Sequence, residues 1–424
     1  MKVVFKNSVR NVLRSLAKRK LKRINPKVIG ITGSVGKTSA KEAISSVLER
    51  NFKVVKSEKN YNTDFGAILT ILGYSTGYSS LGRWFWILLR AGLDSLKKPE
   101  PFDALVMEMG VDKPGDMQEI LSVITPDIMV FLNVKDVHRG EGQFPNKEAI
   151  FEEKSRASAA TKSDGWVILN VDDTYVRQLA DKLPASTLKI GLSGESDIRA
   201  THVETTPHGL SFVLNYENKE IPVKLPRILG DCHVTIVLAA IAVGFVSGMN
   251  WKEIEAGLHE FSLPPGRMNK IEGVNSSLIV DSSYNASPDA VEEALKVLSI
   301  FQGRRIAALG TMNELGELSE SAHIKIGKEA ALSADVLVAV GSHAKDMAEG
   351  AHRAGMSASM IHQFRNSKDA GQFLSGFLER GDTLLVKGSQ NRVRMEHVVK
   401  MCMAYPEDAR QLLVRQEPYW LTKL

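Results

Sequence analysis

The stretch Lys27-Val-Ile-Gly-Ile-Thr-Gly-Ser-Val-Gly-Lys-Thr-Ser-Ala-Lys-Glu42 constrains the fold of this chain more than any other. Val28 to Ile31 is a short apolar run suited to a buried strand. Thr32 to Gly36 is a glycine-punctuated turn, and Lys37-Thr38-Ser39 opens a helix running through Ala43-Ile44 to Val47-Leu48. Strand, glycine loop and helix turn successive backbone N–H groups and a helix N-terminus toward one point, a site for polyphosphate. Gly33 and Gly36 allow positive φ and close approach around Ser34. Lys37 can reach β and γ phosphates, and Thr38 can ligate Mg²⁺. The spacing Gly-x-x-Gly-Lys-Thr is shorter than the usual Walker pattern, because Ile31 stands where that pattern has its first glycine. A strand-to-helix turn that needs two glycines is the plainer reading. The flanking strand and helix make nucleotide binding the expectation.

A chain of 424 residues leads us to expect two or three domains. With 43% hydrophobic and 24% charged residues, it has the composition of an ordinary globular protein. Cys232 and Cys402 make neither a disulfide framework nor a metal cluster, which fits a reducing cytoplasm. The formal charge of +5 is unevenly placed: residues 1–25 hold nine Lys or Arg and no acid, which leaves −4 on the remainder. Phe5, Val9, Val12, Leu13, Leu16 and Leu21 recur there at helical spacing, giving a basic amphipathic helix. It can pack on the neighbouring domain, hold an anionic membrane surface from the inner face, or bind nucleic acid; the last is not expected. It lacks the features of a secretory signal. Leu81 to Leu96, with Trp84, Phe85 and Trp86, is too short and too charged to span a bilayer of about 30 Å. A helix on the core, or a peripheral lipid contact shared with the arm, are its two readings.

Lys59-Asn-Tyr-Asn-Thr-Asp-Phe-Gly66 reads as a loop, with Asn60, Asn62 and Thr63 facing nucleotide or substrate. Ala104 to Gly110 is a buried strand carrying Glu108, and Pro126 to Val134 is another, ending before His138. Ligands of a parallel sheet sit beyond the carboxyl ends of its strands. Glu108 and His138 are therefore expected on the edge that carries Thr38, as a Mg²⁺ shell. Taken alone, His138 reads as a surface histidine after a strand; the convergence with Thr38 and Glu108 brings the ligand reading level with that one.

These motifs resemble those of the Mur ligases, within them the branch that adds D-alanyl-D-alanine in peptidoglycan synthesis. The resemblance rests on Thr32-Gly-Ser-Val-Gly-Lys-Thr-Ser39, Asn60-Tyr-Asn-Thr-Asp-Phe-Gly66, Glu108-Met-Gly110 with Pro114-Gly-Asp116, and Asn133 with His138. It continues through Asn170-Val-Asp-Asp173, Pro265-Gly-Arg267, Asp281-Ser-Ser-Tyr-Asn-Ala-Ser-Pro288, Leu309-Gly-Thr-Met-Asn-Glu-Leu-Gly316 with His323, Lys387-Gly-Ser389 and Met395-Glu396. It covers about residues 27 to 400.

The resemblance implies an α/β protein with a central P-loop ATPase domain, its parallel sheet extended by further strands, and a Rossmann-like C-terminal domain. We expect an arm over 1–26, the central domain over 27–263 and the C-terminal domain over 264–424, with Ser262-Leu-Pro-Pro-Gly266 as linker. The implied reaction turns a carboxylate into an acyl phosphate with ATP, then an amide with an amine. The foremost implied substrates are a UDP-MurNAc-peptide and D-Ala-D-Ala; the alternative is another acid and amine without a UDP handle. By resemblance Lys37 holds phosphates, Gly33, Ser34, Gly36 and Ser39 line the ATP site, and Thr38 and Glu108 bind Mg²⁺. A second Mg²⁺ falls to His138, and Lys154 stands where the family carries a carbamylated lysine. An ammonium cannot ligate Mg²⁺, but its CO₂ adduct can. Arg267, Asp281 and Asn285 would meet the nucleotide, and Lys387 the reacting groups and substrate. A cytoplasmic monomer is expected.

Departures stand beside these matches. The family's Gly-x-His-Asn-x-x-Asn appears as Gly230-Asp-Cys232-His233-Val-Thr-Ile236, so either adenine is held more by apolar stacking or the base specificity is relaxed. Ser282, Ser287 and Thr311 replace family residues near the amine region. Members usually carry a domain before the P-loop that grips a UDP-sugar. Only the basic arm precedes Lys27 here, so a uridine handle is expected to be held differently or to be absent.

Overall fold

The computed structural model describes residues 2–57, 64–75, 81–135 and 143–421. The chain gathers into two compact units. One comprises the residues up to His202 with Phe212–Val223 and His233–Phe261; the other comprises Val203–Ser211, Lys224–Cys232 and Ser262–Leu424.

The first unit begins with α1 (Lys2–Ile24), β1 (Lys27–Thr32), α2 (Lys37–Leu48), β2 (Val54–Lys56), α3 (Asp64–Leu72), α4 (Leu81–Leu96) and β3 (Ala104–Glu108). It continues through α5 (Asp116–Leu121), β4 (Ile128–Phe131), α6 (Lys147–Ala159), β5 (Trp166–Asn170), α7 (Thr174–Arg177) and β6 (Ser186–Gly191). The chain then runs through β7 (Ile198–Thr206), β8 (Gly209–Tyr216), β9 (Lys219–Leu225), α8 (Val234–Val246) and α9 (Trp251–Glu260). Among the described residues one sheet holds nine strands in the order β2-β3-β1-β4-β5-β6-β7-β8-β9. From β2 to β7 neighbouring strands pair in parallel. Strands β3 and β4 are buried throughout, as continuous apolar runs in a sheet covered on both faces must be. Glu217 and Asn218, both at positive φ, form the two-residue turn that twists β8 into β9. Because β1 lies between β3 and β4, the turn after β1 sits where the strand order reverses, the crevice in which such sheets bind ligands.

The basic arm is a helix packed on this unit through buried Val9, Leu13 and Ala17. Val12, expected on its apolar stripe, is instead 52% exposed. The segment 59–66, expected as a loop, is corrected in part: Asp64, Phe65 and Gly66 begin α3, because Ala67, Ile68 and Ile71 one turn on are buried in the core. Its residues 59–63 lie outside the described residues.

The second unit contains β10 (Asn269–Glu272), β11 (Leu278–Ser282), α10 (Pro288–Ser299), β12 (Arg305–Gly310), α11 (Ser319–Ser333), β13 (Val336–Val340) and α12 (Ala344–Arg353). It continues with β14 (Ile361–Phe364), α13 (Ser367–Phe377), β15 (Thr383–Lys387) and α14 (Glu396–Cys402), and two short helices, α15 (Ala409–Leu412) and α16 (Pro418–Leu421), follow. Its six described strands run β10-β11-β15-β12-β13-β14, parallel except for antiparallel β10 at the edge. Beneath this sheet Glu396, 1% exposed, accepts from Arg394 Nε and Arg415 Nη1, each at 3.0 Å. Arg394 Nη1 also donates to the Trp420 carbonyl at 2.8 Å, which anchors the C-terminal segment. Removing one partner of a buried ion cluster strands the others, at a cost of about 3–5 kcal/mol. Glu396→Leu is therefore expected to lower this unit's unfolding free energy by that amount, read as a fall in its urea midpoint, and an unchanged midpoint would contradict the account.

Candidate functional site

The turn after β1 is held open by its own backbone and by one asparagine. Gly33 and Gly36 sit at φ 151° and 89°, conformations that a side chain would strain. Asn133, just past β4, accepts at Oδ1 from the backbone N–H groups of Ser34 (3.1 Å) and Val35 (3.0 Å), and its Nδ2 donates to the Val35 carbonyl at 3.1 Å. The turn is therefore fixed before any ligand arrives. No side chain caps the first turn of α2, and Gly36 stands at its N-cap. That end of the helix offers its N–H groups and dipole to an anion.

Three charged side chains meet this turn. Lys37 Nζ folds over it, donating to the carbonyls of Gly33 (2.7 Å) and Ser34 (3.1 Å). Thr38 Oγ1 donates to Glu108 Oε2 at 3.2 Å, so the ends of β1 and β3 converge as the parallel register requires. Lys154 reaches in from α6, and its Nζ donates at 3.2 Å to the same Gly33 carbonyl that Lys37 uses. Lys154 is fully buried. Burial first, and then the charge of Lys37, push its amine down to about 7.

Lys154 owes its position to the residue beside it. Glu153 Oε1 accepts from the N–H groups of Gly115 and Met117, both at 2.9 Å, which ties α6 to the start of α5. The Pro114-Gly115-Asp116 motif exists for this contact, since Gly115 at φ 93° turns its N–H toward the glutamate.

Lys41 belongs to the site and was not foreseen. It is 1% exposed, donates to the Ser57 carbonyl at 2.7 Å, and lies 3.1 Å from Glu108 Oε1 as an ion pair without hydrogen-bond alignment. The signal was present: Lys41 falls on the inward stripe of α2 with Ala40, Ile44 and Leu48, where a charge demands a buried partner. Oε1 of Glu108 accepts no hydrogen bond from the described residues, though it is buried. A threonine hydroxyl and a carboxylate oxygen so placed form a hard-oxygen donor set of the kind Mg²⁺ takes. Ser39 is buried in α2, and Ile236, also buried, lies beside Gly36. His138, Asn60, Asn62 and Thr63 lie outside the described residues.

The second unit, taken by itself, gathers its expected residues around Lys387 at the end of β15. Lys387 Nζ donates to Ser282 Oγ (3.1 Å) and to the Asn285 carbonyl (3.0 Å). Burial brings its amine down to about 8, against the opposing pull of Cys232 and Asp281. Asp281 is fully buried at the end of β11; one oxygen accepts from Ser283 N at 2.9 Å, and burial pushes its carboxyl up to about 6. The Arg267 guanidinium stacks 3.9 Å from the ring centre of Tyr284. Cys232 is exposed, whereas His233 is buried. The loop after β12 is tied to α11: Met312 N donates to His323 Nε2 at 2.8 Å, which assigns the ring proton to Nδ1. An amine that can be neutral, hydroxyls and fixed amides can together hold a substrate and accept a proton.

The pattern described as the Mur ligase middle domain matches residues 31–244, and that described as the Mur ligase, glutamate ligase domain matches residues 266–390. The UDP-N-acetylmuramoyl-tripeptide–D-alanyl-D-alanine ligase of Bacillus subtilis is 27% identical, over 95% of this chain and 82% of its own length. Among solved structures, MurF from Acinetobacter baumannii superposes with a TM-score of 0.77 at 26% identity, covering 92% of this chain and 79% of its own. MurF ligase from Thermotoga maritima in complex with ADP gives 0.73 at 26% identity, covering 92% and 83%.

Proposed function

The chain belongs to the Mur ligase family, and from that premise we propose that it joins D-alanyl-D-alanine to a UDP-muramoyl tripeptide with ATP as phosphoryl donor. The observation that carries the reading is the convergence of Lys37, Lys154 and the Thr38–Glu108 pair on one glycine turn. The relatives' names supply the substrates, and the ADP complex of the Thermotoga ligase supports the nucleotide.

An amine does not displace oxide from a carboxylate, so the acid must first gain a leaving group. In the proposed sequence a carboxylate oxygen of the tripeptide attacks the γ-phosphorus and ADP departs, leaving an acyl phosphate. The amine of D-Ala-D-Ala then attacks the acyl carbon. The tetrahedral intermediate expels inorganic phosphate, and the amine gives up a proton. Phosphoryl transfer asks the protein mainly for position and neutralised charge. Lys37 and the start of α2 supply both at the β and γ phosphates. Ile236 beside Gly36 gives the nucleotide an apolar neighbour in place of the family's asparagine. In the second unit, the amine of Lys387 would orient the reacting groups, with Arg267, Asp281 and Asn285 at the nucleotide.

Mg²⁺ fits the donor set of the first unit. Thr38 and Glu108 would hold one ion and His138 a second, with a carbamate on Lys154 as a further anionic ligand. When bound, the metal neutralises charge that builds on the phosphoryl oxygens. The lowered basicity of Lys154 favours its carbamate, because only the neutral amine adds CO₂. We place the reaction in the cytoplasm, a compartment that suits two free cysteines.

The test is release of phosphate from ATP with UDP-muramoyl tripeptide present, with and without D-Ala-D-Ala. Release that requires the dipeptide, with a product of the summed mass, is the expected result. Release with some other acid and amine only would move the chain to different substrates. No ADP with any pair would end the ligase reading.

A further inference from the structure

Helix α4 is bound to the first unit along one side only. Ala91 is buried, Trp84, Ile87 and Leu88 pack half-buried against the core, and Phe65 meets Trp84 edge-on at 5.0 Å. At 100° per residue, Phe85, Leu96, Leu89, Leu93 and Trp86 fall within one stripe about 100° wide. All are exposed: Phe85 by 64%, Trp86 by 62%, Leu89 by 43%, Leu93 by 54% and Leu96 by 77%. One exposed leucine means nothing, but five large apolar residues on one face of one helix mark a docking surface.

The charges beside the stripe say what docks. Arg83 and Arg90, seven residues apart, share one flank of the helix, and Lys97 follows its last residue. At the far end Arg23 Nη1 donates to the Ser95 carbonyl at 2.9 Å, which joins α1 to α4. There Arg19, Lys20 and Arg23 of α1, with Lys97 and Lys98, border a cavity of about 330 Å³. Its two acids are already engaged. Asp94 takes the Tyr74 hydroxyl at 2.6 Å and Lys97 at 2.7 Å, and Glu100 pairs with Lys53. The cavity therefore presents an excess of cations next to an apolar stripe that includes tryptophan. No described helix is long and apolar enough to cross a membrane, and α4 has the pattern of a helix lying in the plane of an interface.

We propose that the exposed stripe of α4 and the basic cavity at its end form a docking site for an anionic phospholipid surface. The stripe enters the boundary between headgroups and acyl chains, and the cavity takes phosphate headgroups. This site is separate from the glycine turn, and its occupancy does not depend on which amide is made.

The whole protein is to be sedimented with vesicles of phosphatidylcholine, with and without phosphatidylglycerol. The expected result is binding to the anionic vesicles, with a blue shift of tryptophan emission. Binding weakens by about tenfold or more in Phe85→Ser/Trp86→Ser and by about tenfold in Lys97→Glu/Lys98→Glu. Both variants keep the parent's melting curve and ligase turnover, since none of these residues touches the turn or its partners. Equal sedimentation of parent and both variants would overturn the proposal, as would equal sedimentation with neutral vesicles. So would saturable binding of inorganic phosphate without vesicle binding, which assigns the cavity to a free anion. A dimer that Phe85→Ser/Trp86→Ser dissociates, with no vesicle binding, would assign the stripe to a second copy of the chain.

Discussion

Lys154→Ala is expected to lower amide-forming turnover by about 10²–10³-fold, the loss typical of removing one preorganised charge from such a site. Lys154→Glu is expected to recover part of it. The prediction follows from burial. A lysine with no exposed surface, touching the carbonyl that Lys37 also touches, is a poor place for a second ammonium, and its amine is held down to about 7. A neutral amine there can add CO₂ and become an anion, the charge that a phosphate-bound Mg²⁺ lacks from Thr38. A purely structural lysine predicts the opposite order of variants: alanine would be tolerated, and a buried glutamate would be the worse substitution. Addition of ¹³C-bicarbonate provides a second readout. A carbamate carbonyl signal should appear in the parent and be missing in both variants. Full turnover in Lys154→Ala would remove the residue from the reaction.

The central strands of the second unit are legible in the sequence: Val336–Val340 is a short apolar, β-branched run, buried end to end. Strands β10 and β14 are not, because edge strands are only half-buried: Asn-Lys-Ile-Glu and Ile-His-Gln-Phe show neither an apolar run nor alternation. The same contrast holds at the site. Thr38 and Glu108 were legible as neighbours because a parallel sheet brings the carboxyl ends of adjacent strands to one edge, and β1 pairs with β3. The contribution of Glu153 was not, since it depends on where α5 begins relative to α6, a tertiary relation without a local pattern. For α4 the period was clear, but which face the core would take was not. A helix this rich in apolar residues can bury only some of them, and packing chose Trp84, Ile87, Leu88 and Ala91.

Lys41→Met is expected to destabilise the first unit by about 3–5 kcal/mol, a loss out of proportion to the loss of one side chain. Lys41 and Glu108 are 1% and 4% exposed, and their charges lie 3.1 Å apart. Methionine fills nearly the same volume, so no large cavity opens. What remains is a buried carboxylate without its cation and a Ser57 carbonyl without its donor. Glu108→Gln in the same chain should restore much of the stability, because a neutral amide needs no counter-charge, while turnover stays low because Thr38 then faces no carboxylate. Urea midpoints of the parent, both single variants and the double variant measure this coupling directly. Stability and activity therefore separate. A fold that recovers in the double variant while catalysis does not identifies Lys41 as the residue that balances the Glu108 carboxylate and holds it in place. A midpoint that Lys41→Met leaves unmoved would show instead that water screens the pair, and that Glu108 is held by Thr38 alone.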